Sequence, residues 1–203
     1  MLERRHDQSS ALPAASALEE ALHKSREALE TLRACIPNQS AEASQSVNLN
    51  EILSDVLKLS TVSLLSANIV VEWQPEVNSA IAFGQPVQLS NLFKQLIANA
   101  VEAFNEQRSS HRELRIACVT RPDCMEVFIE DSGPGIANEL RFKVFQPFFT
   151  TKGAEQQHLG LGLAMAQDVV TRHGGTIDID PDYRNGCRVR VQLPRVAGGE
   201  HVS

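Results

Sequence analysis

The chain has 203 residues, 42% hydrophobic and 22% charged, enough for one domain of ordinary size with a buried core and a short appendage. Its 19 basic against 25 acidic side chains leave a formal charge of −6, which counts against direct nucleic-acid binding, where phosphates want a basic stripe. No apolar run reaches the ~18–20 residues of a membrane span, no signal peptide opens the chain, and Cys35, Cys118, Cys124 and Cys187 show no C-x-x-C spacing. Small buried apolar side chains in a reducing cytoplasm are the expected role of these thiols.

Residues 1–10, with Arg4-Arg5-His6-Asp7 and a Gln-Ser-Ser run, predict a frayed start. Leu18, Leu22, Ser25, Leu29, Leu32 and Ile36 then recur at intervals of 4, 3, 4, 3 and 4, the a/d seam of a bundle or coiled-coil helix, stopped by Pro37-Asn38. About three heptads do not hold a helix alone in water, so the seam requires a partner helix, most simply in a homodimer. Residues 1–37 thus form a helical dimerisation segment, 38–48 a polar linker, 49–195 the folded domain and 196–203 a tail.

Within the domain, Asn50 to Leu65 predicts a helix and Asn68 to Trp73 a strand ended by Pro75. Gly84-Gln85-Pro86 opens a long helix from Val87 to about Gln107, with the proline where its missing N–H costs nothing. Leu114–Thr120 and Met125–Glu130 alternate as two strands about Arg121-Pro122-Asp123. After a Gly-rich loop, Leu161 to His173 is helical, and Gly174-Gly175 caps it. Thr176–Ile179 and Arg188–Leu193 close the domain around the turn Asp182-Tyr183-Arg184-Asn185-Gly186. The sum is α/β: one sheet, helices mostly on one face, and a helical extension.

Four blocks carry chemistry. Asn99 lies mid-helix in Leu92–Phe104, where a short amide has poor propensity and its oxygen could meet a hard cation; a solvent-facing amide is the other reading. Asp131-Ser132-Gly133-Pro134-Gly135-Ile136 follows a strand, so its backbone can approach a ligand closely while Asp131 accepts from an exocyclic amine; an ordinary Asp-Gly turn has the same look. Phe145-Gln146-Pro147-Phe148-Phe149 anchors a loop bearing Thr150, Thr151 and Lys152, groups able to reach phosphate. Gly160-Leu161-Gly162-Leu163 opens a helix whose free N–H groups make an anion site.

Together and in this order, the blocks resemble the nucleotide-binding domain of the gyrase, Hsp90, histidine kinase and MutL superfamily, and within it the ATP-binding domain of bacterial sensor histidine kinases. Asn99-Ala100 matches the N box, Asp131-x-Gly133-x-Gly135-Ile136 the G1 box, and Phe145 to Lys152 the F box. Gly160-Leu161-Gly162-Leu163 with His173-Gly174-Gly175 matches the G2 region. The resemblance spans about residues 48–195. It implies a two-layer sandwich of a mixed sheet with helices on one face, of Bergerat type, binding ATP or ADP with Mg²⁺. It further implies that Asn99 holds the metal and Asp131 reads the adenine amine. Gly133 and Gly135 make room for the base, Gly160 and Gly162 meet phosphate, and residues 153–159 form a short lid. A response regulator is the implied partner.

The chain departs from that pattern in three places. No well-formed phosphoacceptor box is present: His23 precedes Lys24 rather than an acid, and His6-Asp7 stands only about 30 residues before Pro37. Gln95 sits one helical turn before Asn99, where hydrolysing members of the superfamily place a glutamate base, and an amide takes no proton from water at neutral pH. His158 replaces the first glycine of the usual pattern. These departures keep a second function open, that of a nucleotide-responsive regulator of the NifL type. Such a protein binds nucleotide without phosphorylating and controls a transcriptional activator by contact, in nitrogen-fixation regulation.

Overall fold

The computed structural model describes residues 43–78, 80–106, 111–151 and 159–195. The predicted helix Leu18–Ile36, most of the lid and the 196–203 tail lie outside the described residues.

The elements follow in the order β1 (Gln45–Asn48), α1 (Leu49–Ser66), β2 (Val70–Gln74), β3 (Ile81–Gly84), α2 (Pro86–Glu106), β4 (Glu113–Thr120), β5 (Cys124–Asp131), two 3-10 turns (Asn138–Leu140, Lys143–Phe145), α3 (Gly162–Arg172), β6 (Thr176–Ile179) and β7 (Cys187–Pro194). The main sheet has the order β2-β4-β5-β7-β6, with β2 parallel to β4 and every other neighbour antiparallel. It is the mixed sheet the sequence led us to expect.

Alternation in the central strands builds the core. Leu114, Ile116 and Cys118 of β4, Met125, Val127 and Ile129 of β5, and Val189, Val191 and Leu193 of β7 are all buried in the hydrophobic core. Helices α1, α2 and α3 pack side by side over them, α2 contributing Leu89, Leu92, Phe93, Leu96, Ile97 and Phe104. Among the intervening residues, charged pairs cross the sheet: Arg188 Nε meets Glu130 Oε1 at 3.0 Å and Arg190 Nη2 meets Asp178 Oδ1 at 3.1 Å. Cys118, Cys124 and Cys187 are free thiols, and burial pushes Cys118 and Cys187 up to about 12, so neither is a nucleophile at neutral pH.

Residues 38–48 are not linker throughout. Gln45–Asn48 pairs antiparallel with Ile81–Gly84, a second short strand absent from the sequence reading, in a separate two-stranded sheet. Only Val47 of the first strand is buried, so its pairing partner, not its own pattern, makes it extended. Helix α1 starts one residue earlier than expected because Asn48 caps it: its Oδ1 accepts from Asn50 N at 3.1 Å and its Nδ2 donates to Glu51 Oε1 at 3.0 Å. The Asn50 side chain is free for another task, binding both N–H and C=O of Glu76.

His173 ties the two ends of the helical layer together. Its Nε2 accepts from Gln85 N at 3.0 Å, just before α2, and its Nδ1 lies 2.7 Å from Val169 O in α3. Only the neutral ring with hydrogen on Nδ1 satisfies both bonds.

Candidate nucleotide site

Helix α2 organises the site because Asn99 and Ala103 stand one turn apart on one side of it, about 5–6 Å. At Asn99, Gln95 Nε2 donates to Asn99 Oδ1 at 3.0 Å, which fixes the amide and leaves the oxygen one further lone pair. Gly162 lies against this pair: a Cβ there would fall 2.6 Å from Gln95 Nε2 and 3.3 Å from Asn99 Oδ1. The N-terminus of α3, with its orphan N–H groups, is therefore seated beside the Asn99 oxygen.

At Ala103 the contact is with the loop after β5. A Cβ on Gly133 would stand 3.4 Å from Ala103 Cβ and 2.7 Å from Asp131 Oδ1. Asp131 ends β5 with only 6% of its surface exposed, and its Oδ1 accepts from Gly133 N at 2.9 Å. Burial pushes its carboxyl up to about 6, against the opposing pull of the Gly133 and Cys187 N–H groups. One end of the site thus carries a buried acceptor and the other an amide oxygen beside a helix N-terminus.

The remaining candidates divide. Gly135, at φ +73°, packs on Gly186 O, so the β6–β7 turn buttresses the loop. Gly160, at φ +64°, is pressed on the backbone of Phe148 and Phe149, where a Cβ would fall 2.5 Å from Phe149 O. That contact joins the phenylalanine loop to the glycine pair. Phe148 is itself held at φ +65°, uncommon for a bulky residue, with its ring exposed. Leu161 is buried, and Ile136 and Leu163 pack partly buried against the core, so any part they play toward a ligand falls to their backbones. Thr151 is exposed; Lys152 and His158 lie outside the described residues.

From sequence, Gly186 is a plain turn residue. Its Asn-Gly setting signals a tight turn, but that the turn lands on Asp131 depends on the β5–β7 register, Asp131 opposite Cys187. The residues present fit a magnesium nucleotide: an oxygen with a lone pair to spare, N–H groups for phosphate beside it, and a sequestered acceptor one turn along the same helix.

Comparison with known proteins agrees with this geometry. Residues 84–197 match the family described as histidine kinase-, DNA gyrase B- and HSP90-like ATPase. The sensor histidine kinase ZraS of Salmonella typhimurium is 29% identical over 153 residues, 75% of this chain and 32% of that protein. Among solved structures, the catalytic domain of histidine kinase ThkA superposes with a TM-score of 0.65 at 27% identity, over 76% of this chain and 99% of that one. ThkA in complex with the response regulator TrrA shares the fold at 20% identity, with a TM-score of 0.66 over 97% of this chain and 53% of that one. The chain spans about a third or less of the length of the curated sensor proteins it matches. No helix among the described residues is long and apolar enough to cross a membrane. A matched region that covers more than half of the chain and contains Asn99, Asp131 and Gly162 makes this protein a member of the histidine kinase-, gyrase- and HSP90-like ATPase family, with the ATP-binding catalytic domain of the sensor histidine kinases.

Proposed function

We propose that the chain binds Mg–ATP and serves a two-component sensor kinase, presenting the γ-phosphoryl of ATP to a histidine, with a response regulator as partner in a reducing, cytoplasmic setting. The observation that carries this reading is the placement of Asp131, beside Gly133 and Ala103, one turn of α2 from Asn99 and the Gly162 end of α3. Asp131 accepts the adenine amine, the α3 N-terminus at Gly162 holds phosphate oxygens, and Asn99 Oδ1 ligates Mg²⁺. The metal would neutralise phosphate charge, and Gln95 fixes the orientation of the Asn99 amide that would hold it. Thr151 and Lys152 reach the phosphates from the loop side.

Asn99→Ala should lower Mg²⁺-dependent ATP affinity by about ten-fold, the loss of one charge-assisted contact, and leave the preference for adenine over guanine intact. Calorimetry with and without Mg²⁺ checks this, and an unchanged metal dependence would remove Asn99 from the role.

The 203-residue chain should bind ATP yet hydrolyse it negligibly. Transfer needs an in-line nucleophile held near the phosphoryl group, and Gln95, an amide already bonded to Asn99, generates no hydroxide. Incubation with labelled ATP, assayed separately for binding, free phosphate, phosphohistidine and transfer to a response regulator, tests the point. Acid-labile phosphate on the chain, abolished by changing His6 or His23, would make it a self-sufficient kinase. The regulator reading, contact with a transcriptional activator without phosphorylation, is separated by the same assay, and the sensor-kinase relatives support the kinase instead.

We further propose a homodimer through the Leu18–Ile36 seam. Leu22→Lys with Leu29→Lys places unpaired charge in that seam and should convert a dimer to a monomer in sedimentation. Wild-type chain that sediments as a monomer at high concentration would refute the dimer.

A further inference from the structure

A cavity of about 810 Å³ is not lined by Asn99 or Asp131. It lies on the sheet face turned away from the helices, at the end where β5 and the 182–186 turn meet, and Glu130 forms part of its wall. Glu130 precedes Asp131 in the strand, so the two carboxylates point to opposite faces.

The Glu130 side chain is only 8% exposed, and its two oxygens fare differently. Oε1 accepts from Arg188 Nε at 3.0 Å. Oε2 is buried with no hydrogen-bond partner, its approach to Arg115 Nη1 being 3.9 Å, beyond hydrogen-bond reach. An acceptor stripped of water and left unmatched is costly, so a donor belongs there.

The charges around the cavity say what kind of donor. Arg188 is already committed to Glu130 and to Asp180 at 3.0 Å, and lies 4.4 Å over the Tyr183 ring. Arg115 Nε is held by Glu72 at 2.7 Å, and Arg184 Nη1 by Pro181 O at 2.7 Å. Counting their partners Glu72 and Asp180 with the lining Glu113, Glu130 and Asp182, five acids stand against three arginines and His111, which lies 3.1 Å from Glu113. The local excess is negative.

The geometry points to a binding site for a small organic cation that carries N–H donors, an alkylammonium or a guanidinium, with one N–H bonded to Glu130 Oε2. It needs no nucleotide and does not depend on the ATP reading. A quaternary ammonium has the charge but no donor, and is excluded by this chemistry.

The test is a titration of the full isotope-labelled chain, free of nucleotide, with methylguanidinium or butylammonium chloride, and with tetramethylammonium chloride as control. Expected are saturable amide shifts at Ser132 and Tyr183 with the first two cations and none with the third. Glu130→Gln should weaken binding by about ten- to a hundred-fold, the loss of a hydrogen bond to a charged group. Should that variant fail to fold, Asp182→Asn on the exposed turn leaves the Glu130–Arg188 pair intact and should weaken binding about two- to five-fold through charge alone. No saturable shift, an equal response to tetramethylammonium, or unchanged binding in the variants that fold would overturn the site. A short peptide with a central arginine that binds about ten-fold more tightly than methylguanidinium would assign the group to a partner protein and overturn the small-cation reading.

Discussion

Asp131→Asn should lower the affinity for adenine nucleotides by about ten- to a hundred-fold, the worth of roughly 1.5–3 kcal/mol for a hydrogen bond to a charged group. Discrimination should fall with it, because the carboxylate welcomes the adenine amine and repels the guanine carbonyl, whereas an amide can turn either way. A wild-type chain that binds guanine and adenine nucleotides equally in calorimetry would contradict the role of Asp131. The pH dependence gives a second handle. Burial lifts the Asp131 carboxyl from the usual 3.8 to about 6, so ATP affinity of the wild type should fall as pH drops through 6, where the acceptor becomes a donor. Stability of the nucleotide-free domain runs the opposite way. The folded state binds the Asp131 proton more tightly than the unfolded state, so this group's contribution to stability rises as pH falls from about 6 toward 3.8, by up to about 3 kcal/mol. Above pH 6 the ionised carboxylate costs the fold that same stability. The asparagine variant should lose the Asp131 share of both pH dependences, by calorimetry for the ligand and by denaturant melts for the fold.

The parts of the fold legible in the sequence were those whose pattern is local. Alternation placed β4 and β5 within a residue at each end, and the Gly84-Gln85-Pro86 opening placed the start of α2. The short strands β1 and β3 were not legible. Gln45–Asn48 has one buried apolar side chain, and Ile81–Gly84 runs into a Gly-Gln-Pro turn, so each is extended because the other pairs with it. The site divides in the same way. Asn99, Asp131 and the glycines stood out by type and position, while their mutual distances came from packing. One helical turn between Gln95 and Asn99 made their hydrogen bond available, but Gly162 closing over it required α3 to dock on α2. The charged face of the sheet was invisible in sequence because Glu130 and Arg188 lie 58 residues apart and meet only through the β5–β7 register.

Gly186→Ala should be the most damaging single methyl in the domain. Gly186 sits at φ +132°, where a side chain is strained, and a Cβ there would fall 1.9 Å from Asp131 O and 3.0 Å from Gly133 N. Neither atom can step aside cheaply. The Asp131 carbonyl belongs to the paired end of β5, and Gly133 N is bonded to the Asp131 carboxylate. Backbone strain of about 1–3 kcal/mol adds to overpacking of about 1–3 kcal/mol, so a loss of roughly 2–6 kcal/mol is expected. In a domain of this size that corresponds to a fall in Tm of roughly 5–20 °C. Gly174→Ala is the matched control. Gly174 also has a positive φ, +69°, but a Cβ there meets only Pro194 Cγ, at an ordinary 3.5 Å, so it should cost about 1–2 kcal/mol from conformation alone. Equal melting of the two variants would mean that the turn does not press on Asp131. The excess loss at Gly186 should also be accompanied, at temperatures where the variant is still folded, by weaker adenine binding, because the displaced carbonyl carries the Asp131 carboxylate with it. Gly174, at the far end of α3, should leave adenine binding unchanged.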